Sequence, residues 1–255
     1  MTQVSPALLE QIIAIAQAAG DAILEIYATD FEVANKSDAS PVTAADEQAE
    51  AVILAGLAQV APDIPVISEE AAAAGHIPDV ADRFWLVDPL DGTKEFISRN
   101  GEFTVNIALI EGGQPVLGVV LAPALKRLFA GIVGEGAFVQ DDQGRRAIRT
   151  RSVPAEGLTV VSSRSHGDAA ALDAFLAGRP VASSVNAGSS LKLCLVATGE
   201  ADLYPRLGRT MEWDIGAGHA VLRAAGGHVK TLAGVELGYG KPGLDNPHFV
   251  ASGAA

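Results

Sequence analysis

A single cysteine, Cys194, excludes an intramolecular disulfide and any cysteine-based zinc site, and it fits a reducing compartment. Aromatic residues are only 5% of the 255, so the core must be aliphatic and alanine-rich; at 49% hydrophobic residues the chain can build one. Positive charge is scarce too. Lys and Arg number 18 against 31 Asp and Glu, and the net charge of -13 argues against a broad nucleic-acid surface, which needs clustered basic residues. The same excess disfavours a phosphorylated ligand unless bound cations reverse the local field, and the carboxylates that hold such cations count towards the negative total. There is no Walker A loop, and the five histidines lack the H-E-x-x-H spacing of a zinc hydrolase. Residues 238–243 match G-x-G-x-x-G, but Pro242 and the missing helical pattern after them argue against a dinucleotide fingerprint. The first residues carry no basic n-region with an apolar h-region. Glu10, Asp21 and Glu25 interrupt the apolar stretch 7–27, a poor membrane span. The expectation is a soluble cytoplasmic protein without a transmembrane segment, peripheral membrane association being left open.

What is present is strongly periodic. Leu8, Ile12, Ile15, Ala19, Ile23 and Ile26 recur at helical spacing behind Pro6, which predicts a helix over 5–28. A second helix is expected over 43–60, ending before Pro62, with strands at 64–68 and 83–88. From 102 to 140 the pattern is β. Residues 103–110 turn through Glu111-Gly112-Gly113-Gln114 into 116–121, a hairpin, and two further short strands lie near 127–133 and 136–140. The second half alternates: strand 158–162, helix 168–177, strand 181–185, helix 189–199, strand 201–205, helix 214–225. Such alternation predicts a layered α/β unit, here one unit with two halves, 1–150 and 151–255.

Residues 84–87 read as a buried strand that runs into Asp88 and Asp91. Pro89 fixes φ between them, Gly92 permits a tight turn and close approach of another molecule, and Thr93 adds a hydroxyl. The group can hold hard divalent cations and a phosphate together. Asp-Pro-x-Asp alone fits an acidic surface turn equally well. Other acids have two readings as well. Glu69 and Glu70 end the apolar run 64–67; Asp214 precedes a helical run, where it also suits an N-cap; Thr43-Ala44-Ala45-Asp46 reads as a capping box. Ser189-Ser190-Leu191-Lys192 opens a helix, whose N-terminus binds anions, although ordinary capping and a solvated lysine explain the same residues.

Asp88-Pro89-Leu90-Asp91-Gly92-Thr93 resembles the signature of the magnesium-dependent, lithium-sensitive phosphatases related to inositol monophosphatase. Ser68-Glu69-Glu70 upstream, and Trp213-Asp214-Ile215-Gly216-Ala217-Gly218 with Ala224-Ala225-Gly226-Gly227 downstream, are similar to that family's other landmarks in the same order. Gly216 stands where alanine or threonine is more familiar, a departure that leaves the carboxylate intact. Thr93-Lys94-Glu95-Phe96 and the stretch 100–108 most resemble the 3'(2'),5'-bisphosphate nucleotidase branch. The resemblance covers about residues 5 to 250.

It implies an αβαβα sandwich and two or three Mg²⁺ ions. The metal ligands it implies are the carboxylates of Glu69 (rather than Glu70), Asp88, Asp91 and Asp214, with the main-chain carbonyl of Leu90. It gives Thr93 and Glu69 the activation of the attacking water, and places Asp46 near the metal waters. Leu90, Asp91, Gly92, Thr93 and Asp214 also border the substrate. Ser189, Lys192 and Arg206 match residues that meet the nucleotide's second phosphate, and His166 belongs to a segment flanking sugar and base, although a cap or plain loop would also explain it. The implied reaction is hydrolysis of adenosine 3',5'-bisphosphate to AMP and phosphate, which recycles the by-product of sulfate activation; 3'-phosphoadenylyl sulfate is a further substrate. An inositol or sugar phosphatase on the same frame is the alternative. A catalytically silent anion-binding regulator is disfavoured, because no ligand is lost and Thr93 is present. The partner is a small phosphorylated nucleotide and no nucleic-acid polymer; the protein is a monomer or homodimer.

Overall fold

The computed structural model describes residues 2–29, 33–35, 41–164 and 169–253, with backbone alone for 33–35 and 41–43. The chain opens with α1 (Pro6–Tyr27). Its N-cap is Ser5, whose Oγ accepts the Leu8 N–H at 3.2 Å, and Pro6 sits in the first turn, where no N–H is needed. A short antiparallel pair, β1 (Val33–Asn35) and β2 (Pro41–Thr43), leads into α2 (Ala44–Val60). Ile12, Ile23, Ile53 and Leu57 of the two helices pack on one face of a seven-stranded sheet. That sheet starts with β3 (Val66–Ser68), followed by α3 (Glu69–Ala73), and with β4 (Arg83–Asp91), followed by α4 (Thr93–Ile97). It continues through β5 (Thr104–Glu111), β6 (Gln114–Ala122), β7 (Arg127–Ile132), β8 (Gly136–Asp141) and β9 (Gly144–Ile148) in chain order, β3 parallel to β4 and the rest antiparallel.

Burial on both faces explains why these strands read as continuous apolar runs. Trp85, Val87, Ile107 and Leu109 join the core with α1 and α2, while the alternate residues Phe84, Leu86, Ala108 and Ile110 join a second core. The second core lies under β10 (Leu158–Ser163), α5 (Ala169–Leu176), β11 (Val181–Ala187), α6 (Leu191–Ala197), β12 (Leu203–Arg206), α7 (Glu212–Ala224), β13 (His228–Thr231) and β14 (Phe249–Ser252). The five strands run in the order β11-β10-β12-β14-β13, the first three parallel and the last two pairings antiparallel. Helices α6 and α7 pack between the two sheets, and α5 crosses from β10 to β11. The result is a layered α/β sandwich. Helix α7 lies so close to β6 that a Cβ on Gly118 would meet the Ala217 carbonyl oxygen at 2.3 Å.

Five strands were not expected: β1, β2, β9, β13 and β14. β9 buries only Ile148 among its five residues, so it shows no alternation, while β13 pairs with β14 across a long connection and β14 pairs also with the distant β12. The last long helix begins at Glu212, two residues before its expected start. Among the described residues, α1 alone has the length and apolar composition to cross a membrane, and its buried residues belong to the first core.

Candidate active site

In a regular strand Asp88 and Asp91, three residues apart, would point to opposite faces. β4 is not regular there. Asp88 pairs with Asn106 and Asp91 with Thr104, three steps against two, so one extra residue bulges out and both carboxylates come to line one cleft. Pro89, which has no N–H to give, sits within the interrupted ladder. Gly92 follows at φ 93°, where a Cβ would meet Glu95 Oε2 at 3.2 Å and the Glu102 carbonyl at 3.4 Å, so glycine is required by both conformation and space. Thr93 then starts α4.

The cleft has a volume of about 270 Å³. Glu69, Asp88, Leu90, Asp91, Gly92, Thr93, Ser189, Lys192, Arg206 and Asp214 all line it, and Glu70 does not. Glu69 arrives as the first residue of α3, and Asp214 from the first turn of α7. Oxygens of Glu69, Asp88 and Asp214 lie within 4.8 Å of one another. Asp214 is not the N-cap, as its position before the helical run suggested. Met211 holds that place, and Asp214 reaches back to accept the Met211 N–H at 2.8 Å. One of its oxygens therefore caps the helix while the carboxylate still faces the cleft.

The cluster is electrostatically strained. Burial, followed by the charges of Glu69, Asp91, Asp214 and Asp46, holds the Asp88 carboxyl well above the usual range. Burial, then Asp91 and Glu69, pushes Asp214 up to about 8. Burial likewise raises Asp91 to about 6, with Lys192 opposing it. Asp88 Oδ1 is buried with no hydrogen-bond partner. Carboxylates gathered like this need positive charge among them, and an all-oxygen set suits a hard divalent cation such as Mg²⁺. The residues present fit that ion. Asp46 is 1% exposed and does not line the cleft, but its charge acts on Asp88. The capping box read at Thr43 falls on a side chain outside the described residues.

The cleft also holds cations, Lys192 and Arg206. Lys192 is only 5% exposed, so it is no solvated lysine; its Nζ donates to the carbonyls of Ser189 and, at 3.4 Å, Ala187. Burial lowers its pKa to about 8 despite the nearby Asp91. Ser189 has φ 46°, a costly region for a residue with a Cβ, and its Oγ is buried without a partner. Arg206 donates from Nη2 to the Arg209 carbonyl at 2.8 Å. A second cavity of about 210 Å³ shares Ser163, Tyr204 and Arg206 with the cleft and adds Ser162, Arg164, Leu172, Asn186 and Leu207. Arg164 grips Glu102 with two bonds of 2.8 Å, and Glu102 also accepts the Gly188 N–H at 2.8 Å, which ties the segment before β5 to the ends of β10 and β11. His166 lies outside the described residues.

Sequence reasoning missed Tyr204, Arg209 and Thr210, which line the cleft from the segment leading to α7. No periodicity or motif marks them; only their closeness to Arg206 in the chain pointed there. Asn106 appeared only as a letter in a motif, yet its Nδ2 donates to Asp91 Oδ2 at 3.4 Å. Cys194 takes no part: it is fully buried, and burial pushes its thiol up out of the reactive range.

Carboxylates and cations lining one cleft, on a layered α/β frame, suit a phosphate ester held beside hard metal ions. The chain belongs to the inositol monophosphatase family, whose model matches residues 6–252. It is 52% identical over 234 residues to the 3'(2'),5'-bisphosphate nucleotidase CysQ of Salmonella typhimurium, spanning 91% of this chain and 94% of that protein. Among solved structures it is similar to CysQ from Bacteroides thetaiotaomicron, with a TM-score of 0.82, 37% identity and coverage of 97% of each chain. It is also similar to the inositol monophosphatase of Thermotoga maritima, with a TM-score of 0.79, 26% identity and coverage of 96% of this chain and 92% of that one.

Proposed function

We propose that this chain is a Mg²⁺-dependent 3'(2'),5'-bisphosphate nucleotidase that hydrolyses adenosine 3',5'-bisphosphate to AMP and phosphate, with 3'-phosphoadenylyl sulfate as a further substrate. The observation that carries the reading is a cationic group, buried Lys192 beside half-buried Arg206, in the same cleft as the carboxylates. A substrate with one phosphate leaves that group idle; a substrate with two uses both the cations and the carboxylate cluster.

Glu69, Asp88, Asp91, Asp214 and the Leu90 carbonyl would hold two or three Mg²⁺ ions. Bound there, Mg²⁺ supplies charge stabilisation for an in-line displacement and lowers the pKa of water. Thr93 and Glu69 orient the attacking water, and Glu69 accepts its proton. The N–H groups of Gly92 and Thr93 donate to the oxygens of the reacting phosphate. Asp46 is assigned near the metal waters by its motif, and its charge bears on Asp88. Lys192, Arg206 and Ser189 Oγ meet the phosphate that does not react, and the nucleoside extends into the adjoining cavity. His166 is assigned beside the sugar and base by its motif alone. The compartment proposed is the cytoplasm, in keeping with the lone buried thiol.

The test is a substrate panel with Mg²⁺, with and without a chelator. Much higher kcat/KM on adenosine 3',5'-bisphosphate than on inositol 1-phosphate, inhibition by Li⁺ and complete loss with EDTA are expected. Similar rates on both substrates would remove the substrate assignment. Full activity after exhaustive chelation would remove the metal mechanism.

A further inference from the structure

The G-x-G-x-x-G match at 238–243 precedes a strand rather than a helix, and it does something other than cradle a dinucleotide. Its backbone closes on Glu212, which is 0% exposed and stands two residues before Asp214. The Glu212 carboxylate accepts the Gly240 N–H at 2.8 Å, the Lys241 N–H at 2.9 Å and the Lys241 ammonium at 2.6 Å. The same ammonium donates to the Gly238 carbonyl at 2.6 Å and to Asn246 Oδ1 at 3.1 Å. Asn246 Nδ2 in turn donates to the Met211 carbonyl at 2.8 Å and to Thr210 Oγ1 at 3.3 Å, and its N–H to the Thr210 carbonyl at 2.9 Å. The Met211 N–H donates to Asp214 Oδ2 at 2.8 Å. Hydrogen bonds thus run unbroken from Lys241 through Asn246 to both peptide groups flanking Met211 and on to the Asp214 carboxylate.

Glu212, Lys241 and Asn246 do not line the cleft, whereas Thr210 and Asp214 do. The pair is buried on its Glu212 side and half-buried at Lys241, and such a pair adds little net stability over an apolar replacement. We propose that Lys241, with Glu212 and Asn246, forms a positioning unit that fixes residues 210–214 and so aims the Asp214 carboxylate for cation binding. The inference rests on the reading of Asp214 as a cation ligand.

Mn²⁺ binding to the purified full-length protein, read from the EPR signal of the free ion, needs no turnover. Lys241→Met is expected to weaken binding about 10- to 100-fold, the range for partners that orient a metal ligand, and Lys241→Arg to restore most of it. A purely structural role would instead lower Tm and the number of binding sites while the Kd of the folded fraction stayed at its wild-type value, and that result would overturn the proposal. Asp214→Asn separates the two readings. If it binds Mn²⁺ like wild type, Asp214 is no ligand; if it loses binding and Lys241→Met does not, the positioning inference alone fails. Should Lys241→Met not fold, Asn246→Ala leaves the Glu212–Lys241 pair intact and carries the same test, weaker binding supporting the proposal and wild-type affinity overturning it.

Discussion

Removing the metal should leave a protein that loses stability as the solution is made more alkaline, from about pH 6.5 to about pH 8. The perturbation acts on the carboxylate cluster. Asp214 titrates at about 8 in the folded chain and Asp88 well above its usual value, chiefly through burial. A carboxyl raised in this way keeps a proton that the unfolded chain has already released. The folded state then binds more protons, and its advantage disappears as pH climbs through the folded pKa. While the proton is held, each such group costs about 1.4 kcal/mol per pH unit, so Asp214 alone removes about 1.5–2 kcal/mol across that window. Asp88 adds in the same direction. Lys192, with its pKa lowered to about 8, works the other way, since it sheds its proton more readily when folded. It returns only a few tenths of a kcal/mol by about pH 8. His219, held neutral by burial with a pKa of about 3, has made most of its contribution below this window and returns only a few tenths of a kcal/mol within it. A loss of about 2 kcal/mol lowers Tm by roughly 4–8 °C in a chain of this size. Calorimetric melts of EDTA-treated protein should show that fall, and saturating Mg²⁺ should flatten it. Asp214→Asn should flatten the slope as well and raise the metal-free Tm at the alkaline end. A metal-free Tm that stays level or rises over the same range would refute the reasoning.

Asp91→Asn keeps the shape but removes a charge from the cluster, and should nearly abolish turnover while circular dichroism stays native; wild-type turnover would sink its role. Lys192→Ala should reduce kcat/KM on adenosine 3',5'-bisphosphate by about 10- to 150-fold, from the roughly 1.5–3 kcal/mol of a charge-assisted hydrogen bond, and far less on inositol 1-phosphate. Equal losses on both substrates would place Lys192 in the general catalytic apparatus. Gly118→Ala forces a Cβ to 2.3 Å from the Ala217 carbonyl oxygen, a backbone atom that cannot turn aside, and should cost about 1–3 kcal/mol in denaturant melts; an unchanged midpoint would contradict the close packing of α7 on β6.

Much of the fold can be read along the chain because it rests on neighbours in sequence. Ser5 caps α1 and Ile12 and Ile23 share its buried face through local spacing alone, and the β5–β6 hairpin follows from two apolar runs and a short turn. The acids of the cleft stand out for the same reason, since Asp88, Asp91, Gly92 and Thr93 lie within six residues. Other features depend on contacts that no window of sequence contains. The bulge that turns Asp88 and Asp91 into one cleft exists only against β5, and Lys192 is buried because Ser189, Ala187 and Tyr204 close over it. Arg209 and Thr210 reach the cleft because Asn246, 36 residues beyond Thr210, holds their segment in place. The sequence by itself determined which groups this protein has for cations and phosphate. Tertiary structure decided which of them meet, because packing two sheets around α6 and α7 brings distant segments to one cleft at an energy that local propensity does not carry.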